Sequence, residues 1–471
     1  MKSTVVALSA LALSIGAFTV QADSLRDIYE LALANDAQLK AEQATYLARR
    51  ETEVLGRSAL LPQIATAYSY TDMDTDTDGK GPIFDADGIR IDDTSSDLDI
   101  DTDGYSISLK QTLFDLPAWF SFQSGKEITK EAEATFAANQ QNLIVRVVSA
   151  YLLVLRAQDN LSASQAQERA FERQLEQTEQ RFEVGLIAIT DVYEAQAARD
   201  LSQVERIVDE NNVQVALERL SVLTGQRQGN LDILKEDFEI KPPDPIDRAT
   251  WVDFALANNF LLAAANYREE AARQSAKANK LEHAPKVSGG YEYSDMTTNG
   301  SRSVKPDTGI VSPPDSDQEQ HVWQVRVDMP LYSGGAISAN RRRAAQEFNA
   351  ARENRINLSR NTVTNTRSLH MTVVSDVARI AARKQSIISS KSSLDATQAG
   401  YEVGTRNVVD VLNAQNTLFK SERDYANSRY DYVLNLMRLK EQSGLLSPED
   451  VLRLGSNMIP APVATASSTK K

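Results

Sequence analysis

The chain has 471 residues, a net charge of −14 and no cysteine. The lack of cysteine excludes disulfides, thiolate metal sites, a cysteine nucleophile and a lipid-bearing N-terminal cysteine. The acidic balance disfavours nucleic acid as a partner, because that binding depends largely on cations at phosphates. The histidines, His283, His321 and His370, are far apart in sequence. No metal site, cofactor site or catalytic nucleophile–base pair is therefore predicted.

Residues 1–22 have the pattern of a signal peptide. Lys2 supplies positive charge, an apolar stretch follows, and Val20, Gln21 and Ala22 form a small-x-small cleavage site. The mature chain is predicted to begin at Asp23. No later segment is a long uninterrupted apolar run, so any passage through a membrane would need strands.

The chain contains two copies of one plan. Arg181–Gln196 matches Gly400–Gln415 at an offset of 219, and Ala32–Asn35 matches Ala255–Asn258 at an offset of 223. We interpret 23–226 and 247–445 as structural repeats. A proline-rich linker at 227–246 joins them, and a C-terminal segment at 446–471 follows. The composition of that segment from Ser456 onward predicts a disordered end.

Two segments in each copy alternate apolar and polar residues with the period of a strand. They are predicted near 63–71 and 103–112, and again near 286–295 and 321–329. Trp323 and Val325 would face one way and Gln324 the other. Four strands cannot close a barrel, so they form either a soluble sheet or a membrane barrel pooled among several chains.

Twelve aspartates occur between Asp72 and Asp103, a stretch predicted to be a loop between the first two strands. Asp74–Gly79 and Asp99–Gly104 resemble the start of a calcium-binding loop. Neither motif is complete, because the final ligand position is not glutamate and no flanking helices are predicted. The stretch is either a solvated acidic loop or a loose site for divalent cations.

Long helices follow each pair of strands. No proline occurs between Pro117 and Pro242, and the apolar residues Ile144, Val148, Tyr151 and Leu155 recur at spacings of four and three. That spacing is typical of helices packed along their length in a coiled coil.

Each long helix is predicted to turn back at a hairpin tip, near 185–191 in the first copy and 404–410 in the second. Gly185 and Gly404 would end the outgoing helices in the left-handed conformation. Thr190 or Asp191 would then cap the returning helix of the first copy.

Together these features resemble the TolC family. Arg181–Val192 is similar to the family's first periplasmic turn, and Tyr401–Leu412 is similar to the second. The other matching stretches are Leu60–Ile64, Gln111–Asp115 and Pro330–Gly335. The resemblance covers about Asp23 to Leu452.

The resemblance implies a mainly helical homotrimer with an internal structural duplication. Four strands per chain would form a 12-stranded outer-membrane β-barrel in contact with lipid, continued through the periplasm by a long α-helical coiled-coil barrel. The linker and the C-terminal segment would lie in an equatorial belt around the helices. Such a channel-tunnel would be a passive exit duct for efflux or type I secretion. A periplasmic adaptor and an inner-membrane ABC or RND-type pump would open it, and the duct would need no cofactor.

The resemblance also implies roles for residues at the tips. Arg406 and Tyr401 would tether neighbouring helices to Thr190 and Asp191, and so hold the tunnel shut. Asp410 would lie at the pore constriction. The family has a second aspartate three residues later, where this chain has Asn413. Since carboxylate rings bind cations, we expect weaker cation block than the family pattern gives.

A different class of protein also fits the long helices. A trimeric coiled-coil structural or adhesion protein of the cell envelope would share them. It would need neither the strand hairpins nor the turn repeated at a fixed offset.

Overall fold

The computed structural model describes residues 24–84, 87–88, 90–305 and 314–461. The predicted signal peptide, Asp23 and the last ten residues of the chain lie outside the described residues. Both copies follow one order: two helices, two strands, two helices. In chain order the elements are α1 (Leu25–Asn35), α2 (Ala37–Ser58), β1 (Gln63–Phe84), β2 (Arg90–Phe114), α3 (Leu116–Glu183), α4 (Ile189–Thr224), β3 (Ile233–Leu234), α5 (Arg248–Asn258), α6 (Phe260–Lys280), β4 (Lys286–Lys305), β5 (Ser316–Asp328), α7 (Ala336–Glu402), α8 (Val408–Gln442), α9 (Pro448–Gly455) and β6 (Met458–Ile459).

The two copies share their helix caps as well as their order. Ser24 caps α1 by accepting from the Asp27 amide at 3.2 Å, and Asp247 caps α5 by accepting from the Thr250 amide at 3.0 Å. At the next junction, Asp36 and Asn259 each accept from the amide three residues later, at 2.6 and 2.9 Å. Each cap satisfies an amide that the helix leaves without a partner. All four caps fit the offset of 223.

The four long strands form one antiparallel sheet in the order β1-β2-β4-β5. The register places Ile64, Leu109, Tyr291 and Trp323 in one row across the sheet. The neighbouring row on the opposite face contains Ala65, Ser108, Glu292 and Val322. The alternation predicted from the sequence is therefore confirmed: one face carries most of the large apolar and aromatic side chains.

Residues 72–84 and 90–103 of the acidic stretch are strand rather than loop, so the loop prediction is wrong for them. Asp72 pairs with Asp101, Asp74 with Asp99 and Asp76 with Asp97 along the β1–β2 ladder. The loop prediction rested on the position of the stretch between two shorter predicted strands, and Asp also has a low strand propensity. The aspartates nevertheless alternate with Thr71, Met73, Thr75 and other residues that suit a strand, and the period of two is kept. The calcium-loop motifs lie within paired strands, and the described residues contain no group suited to holding a metal ion.

The described residues form two compact units. The first comprises 24–45, 134–263 and 357–461, and its core lies around the middle of α3. Ile144, Val148, Tyr151 and Leu155 are all at most 2% exposed, which confirms the coiled-coil spacing read from the sequence. Tyr151 keeps its hydroxyl satisfied in this core by donating to the Asp232 carbonyl at 2.8 Å.

The linker and the C-terminal segment meet in the first unit. Ile233 pairs with Ile459 and Leu234 with Met458, so β3 and β6 form a two-stranded sheet. The resemblance implied that these two segments lie together, and this pairing confirms it. The predicted disorder from Ser456 onward is wrong for Met458 and Ile459, because strand pairing and burial of Met458 hold them.

The second unit, within 46–133 and 264–356, holds the sheet and the helix segments that adjoin it. Arg49 on α2 pairs with Glu131 on α3 at 2.9 Å, the Ser124 hydroxyl on α3 donates to the Ala271 carbonyl on α6 at 2.9 Å, and Arg355 on α7 pairs with Glu269 on α6. The helix order α2-α3-α6-α7 thus repeats the strand order. Among the described residues, no helix is both long enough and apolar enough to cross a membrane.

Candidate functional site

Both hairpin tips turn on a glycine in the left-handed conformation. Gly185 has a φ of 73° and Gly404 a φ of 80°, which confirms the predicted caps. The Leu186 amide donates to the Arg181 carbonyl at 2.9 Å, and the Thr405 amide donates to the Gly400 carbonyl at the same distance. These bonds satisfy the carbonyls that the ends of α3 and α7 leave open.

The returning helices begin differently from the prediction. Ala188 is the N-cap of α4 and makes no side-chain cap, so the prediction that Thr190 or Asp191 caps this helix is wrong. Both residues already lie in its first turn, where the Asp191 carboxylate suits the positive end of the helix dipole. Asn407 caps α8 by accepting from the Asp410 amide at 2.8 Å.

Tyr401 lies in the last turn of α7 and is only 7% exposed. It packs in a small apolar cluster with Phe171, Val408 and Leu412. Within the part of the chain that the structure describes, its buried hydroxyl has no hydrogen-bond partner. A buried hydroxyl without a partner is costly, so this oxygen is suited to a contact that a single chain does not supply.

Arg181 is a site residue that the sequence reasoning did not select. Its guanidinium lies 4.5 Å from the centre of the Tyr401 ring, and its Nη1 donates to the Tyr401 carbonyl at 3.4 Å. A cation in the last turn of a helix was a signal that could have found it.

Arg406 is exposed and pairs with Asp410 in the next helix, with 3.7 Å between Nη1 and Oδ2. The structure therefore brings together one predicted gate residue and one predicted constriction residue. Among the described residues it records no bond from Arg406 to Thr190 or Asp191. Thr190 is exposed and Asp191 is half-buried.

The Arg406 side chain also explains a glycine in the second tip. A Cβ at Gly400 would lie 2.8 Å from Arg406 Cγ. The equivalent position of the first copy is Arg181, and no arginine follows its turn.

Asp410 and Asn413 lie three residues apart near the start of α8, and so on one face of the helix. The Asp410 side chain is 38% exposed and Asn413 is exposed. The amide of Asn413 carries no charge, so this face has the single negative charge of Asp410. A second aspartate at 413 would double that charge.

A groove of about 460 Å³ adjoins the Arg181–Tyr401 contact. Besides these two residues, its lining includes Gln174, Gln177, Gln180 and Gln398. Val184 and Glu402 complete the lining. The amide side chains both donate and accept hydrogen bonds, and the Glu402 carboxylate accepts them. The surroundings of the tip therefore suit adjustable contacts between helices.

Comparison with known proteins identifies the family. A sequence model of the family described as "Outer membrane efflux protein" matches residues 28–226 and 251–445. The outer membrane protein TolC of Vibrio cholerae is 32% identical over 443 residues, covering 93% of this chain and 94% of that protein. The alkaline protease secretion protein AprF of Pseudomonas aeruginosa is 29% identical over 441 residues, covering 92% and 87%.

The fold agrees with a solved structure. The outer membrane protein VceC from Vibrio cholerae superposes with a TM-score of 0.70 at 17% identity, covering 89% of this chain and 96% of that one. The two ranges matched by the family fall within the two predicted repeats. This chain belongs to the outer membrane efflux protein family, the TolC channels, and is an outer-membrane protein of transport and not an enzyme.

Proposed function

We propose that three copies of this chain assemble into a passive exit duct through the outer membrane. The proposal rests on two features of the sheet. One of its faces is largely apolar, and its edge strands β1 and β5 each lack a partner strand on the outer side among the described residues. Lipid does not tolerate open strand edges, because their amides and carbonyls would lack hydrogen-bond partners. Pooling four strands from each of three chains gives twelve strands and removes every edge.

The apolar face supports insertion in lipid over burial in a soluble core. Ile64, Tyr68, Trp323 and Val325 on this face are each at least 70% exposed in the single chain. Exposed apolar patches of this kind mark membrane or protein contacts. The opposite face, with Ser106, Ser108 and Gln324, is suited to a water-filled lumen.

The helices would continue this duct through the periplasm. α2 and α7 lie at the two edges of the helix layer, beside the edge strands β1 and β5. An interface that joins strand edges between copies would therefore join these helices too. The linker and the C-terminal segment would form the equatorial belt.

The tips would form the gate. In the closed trimer we expect Arg406 and Tyr401 to tether neighbouring helices to Thr190 and Asp191. The buried hydroxyl of Tyr401 supports this role, since it has a hydrogen bond to gain. The Arg406–Asp410 ion pair is long and solvent-exposed. Replacing it with a contact to a neighbouring helix would therefore cost little free energy.

A periplasmic adaptor and an inner-membrane ABC or RND-type pump would supply the force that opens the gate, and the duct itself would hydrolyse nothing. The named role of AprF in protease secretion favours type I secretion as one use. The family description favours efflux as another.

A matched pair of substitutions in one strand tests the proposal. Val325→Arg places a charge on the apolar face, while Gln324→Arg places the same charge at nearly the same depth on the polar face. A lipid-facing arginine costs about 2–4 kcal/mol at the middle of a bilayer and less towards its borders, whereas a lumen-facing one at the same depth does not.

We expect Gln324→Arg to give trimers and discrete conductance steps in planar bilayers, and Val325→Arg to reach the outer membrane poorly. Equal insertion of both variants would contradict the membrane role of this face. A water-soluble wild-type monomer without conductance would contradict the duct itself, and would favour a structural protein.

A further inference from the structure

The four helix ends that adjoin the sheet carry cations and no carboxylates. They are residues 54–58 of α2, 116–126 of α3, 271–280 of α6 and 336–346 of α7. Each segment runs from the sheet end of its helix to the first carboxylate, which is Glu53, Glu127, Glu270 or Glu347. In a chain with a net charge of −14, these segments contain eight lysines and arginines. The cations are Arg57, Lys126, Arg273, Lys277, Lys280, Arg341, Arg342 and Arg343. We call these four segments and the turns that join them to the strands the collar.

The topology brings the whole collar to one end of the sheet. β1 and β4 begin at this end, and β2 and β5 finish there, because all three strand pairs are antiparallel. The other end of the β1–β2 hairpin carries the opposed aspartate pairs described above. The sheet therefore has a cationic end and an anionic end.

Several of the collar cations are available for a ligand. Arg57, Lys280, Arg341 and Arg342 are exposed, and the structure records no ion pair for them with any described carboxylate. Arg273 is paired with Glu270 at 2.6 Å, whereas Arg343 is held only loosely by Glu347, at 3.6 Å.

The acidic side chains of the adjoining turns are already engaged. Asp115 accepts from the Ala118 amide at 2.9 Å, and Glu282 pairs with Lys286 at 3.0 Å. Asp115 keeps its negative charge, whereas Glu282 is neutralised by Lys286, and the eight cations of the collar still outnumber these two carboxylates.

The collar also exposes large apolar side chains. Leu331 and Tyr332, between β5 and α7, are 80% and 85% exposed, and Trp119 and Leu61 are about half exposed. Tryptophan and tyrosine are enriched where a bilayer meets water, because one end of the ring is apolar and the other polar. The collar thus combines cations with interfacial aromatics and continues the apolar face of the sheet.

We propose that the collar binds the phosphates of anionic glycerophospholipids in the membrane leaflet that borders the helices. This inference rests on the proposed function, since it needs the sheet to span a bilayer. Arginine matches phosphate with a planar fork of donors, and clusters of cations beside a membrane segment attract anionic headgroups. Successive residues of α7 project about 100° apart, so any outward direction from the helix lies within about 80° of one of the three adjacent arginines.

Retention of lipid by the purified protein tests the proposal. The probe is dioleoyl phosphatidylglycerol, added to detergent-purified protein and counted by native mass spectrometry against dioleoyl phosphatidylcholine. The test variant replaces Arg341, Arg342 and Arg343 with glutamine. The matched control replaces Arg352, Arg360 and Arg367 with glutamine. These arginines are exposed on the same helix but lie farther along α7 from β5.

We expect the test variant to retain at least about tenfold less phosphatidylglycerol than the wild type, because three cations beside the membrane are lost. The control should match the wild type. Equal loss in test and control, or no loss in the test variant, would overturn the proposal. Preferential retention of lipid A over phosphatidylglycerol would also overturn it, because that lipid belongs to the opposite leaflet.

The conductance of the same preparations separates this inference from the proposed function. Normal channels with unchanged lipid retention would refute the collar alone. Protein that retains phosphatidylglycerol as expected but gives no channels would refute the duct and leave the lipid contact standing.

Discussion

The guanidinium of Arg181 stacks on the ring of Tyr401, 4.5 Å from its centre, and joins the last turn of α3 to the last turn of α7. The contact links two helix ends that are 220 residues apart in sequence. One residue belongs to each of the two repeats, and each lies three or four residues before the glycine of its turn.

Arg181→Ala should loosen the tip without unfolding the chain. A partly buried cation–π contact contributes about 1–2 kcal/mol, so amides of residues 398–406 should exchange with deuterium roughly 5- to 30-fold faster. Arg173→Ala, on an exposed turn of the same helix, is the control and should leave this exchange unchanged. Unaltered exchange in Arg181→Ala would show that the apolar cluster alone holds the tip.

Arg406→Ser should raise single-channel conductance, because it removes the proposed tether between neighbouring tips. The comparison is Arg199→Ser on α4, whose guanidinium pairs only with its neighbours Asp200 and Gln203 in the described part of the chain. Conductance is measured in planar bilayers at fixed salt. If Arg406→Ser conducts like the wild type, the tether has no part in the resting state.

Asn413→Asp should strengthen block by multivalent cations. In a trimer it adds three carboxylates one helical turn from Asp410, and such rings bind cations electrostatically. The half-blocking concentration of hexamminecobalt should fall, and it should rise in Asp410→Asn. An Asn413→Asp channel with unaltered block would place this position away from the pore.

Leu155→Ala should destabilise the first unit by about 2–5 kcal/mol, because Leu155 is 1% exposed and a cavity would remain. The thermal midpoint in detergent measures this loss. Val222→Ala, where the side chain is 77% exposed, should shift the midpoint far less. Similar shifts in the two variants would contradict the assignment of the core.

Asp159 should make stability depend on pH. Burial raises the pKa of its carboxyl, outweighing the hydrogen bond donated by Tyr430 at 2.6 Å. A raised pKa means that the folded state holds this proton more tightly than the unfolded chain. The charged carboxylate therefore costs stability at neutral pH, and the cost disappears as pH falls through the raised pKa towards the ordinary value near 3.8.

Asp159→Asn should accordingly be more stable than the wild type at pH 7, and its advantage should shrink as the pH is lowered. Thermal midpoints of both proteins across this range measure the difference. An advantage that stays constant with pH would show that Asp159 does not titrate in this way.

The sequence by itself determined the features that depend on local periods. The spacing of Ile144, Val148, Tyr151 and Leu155 predicted a packed helix, and the alternation around Trp323 predicted a two-faced strand. Gly185 and Gly404 predicted the turns, because left-handed backbone at a helix end favours glycine. The offset of 219 between matching segments predicted two structural repeats. The two copies indeed have the same order of helices and strands.

Only the tertiary structure decided features that depend on partners distant in the chain. Asp72, Asp74 and Asp76 have low strand propensity, and pairing with the opposite strand overrides it. Met458 and Ile459 are ordered because β3, more than 220 residues earlier, provides a strand to pair with. Arg181 and Tyr401 meet through the packing of two helices, and propensity or spacing along one segment carries no information about the segment it will contact.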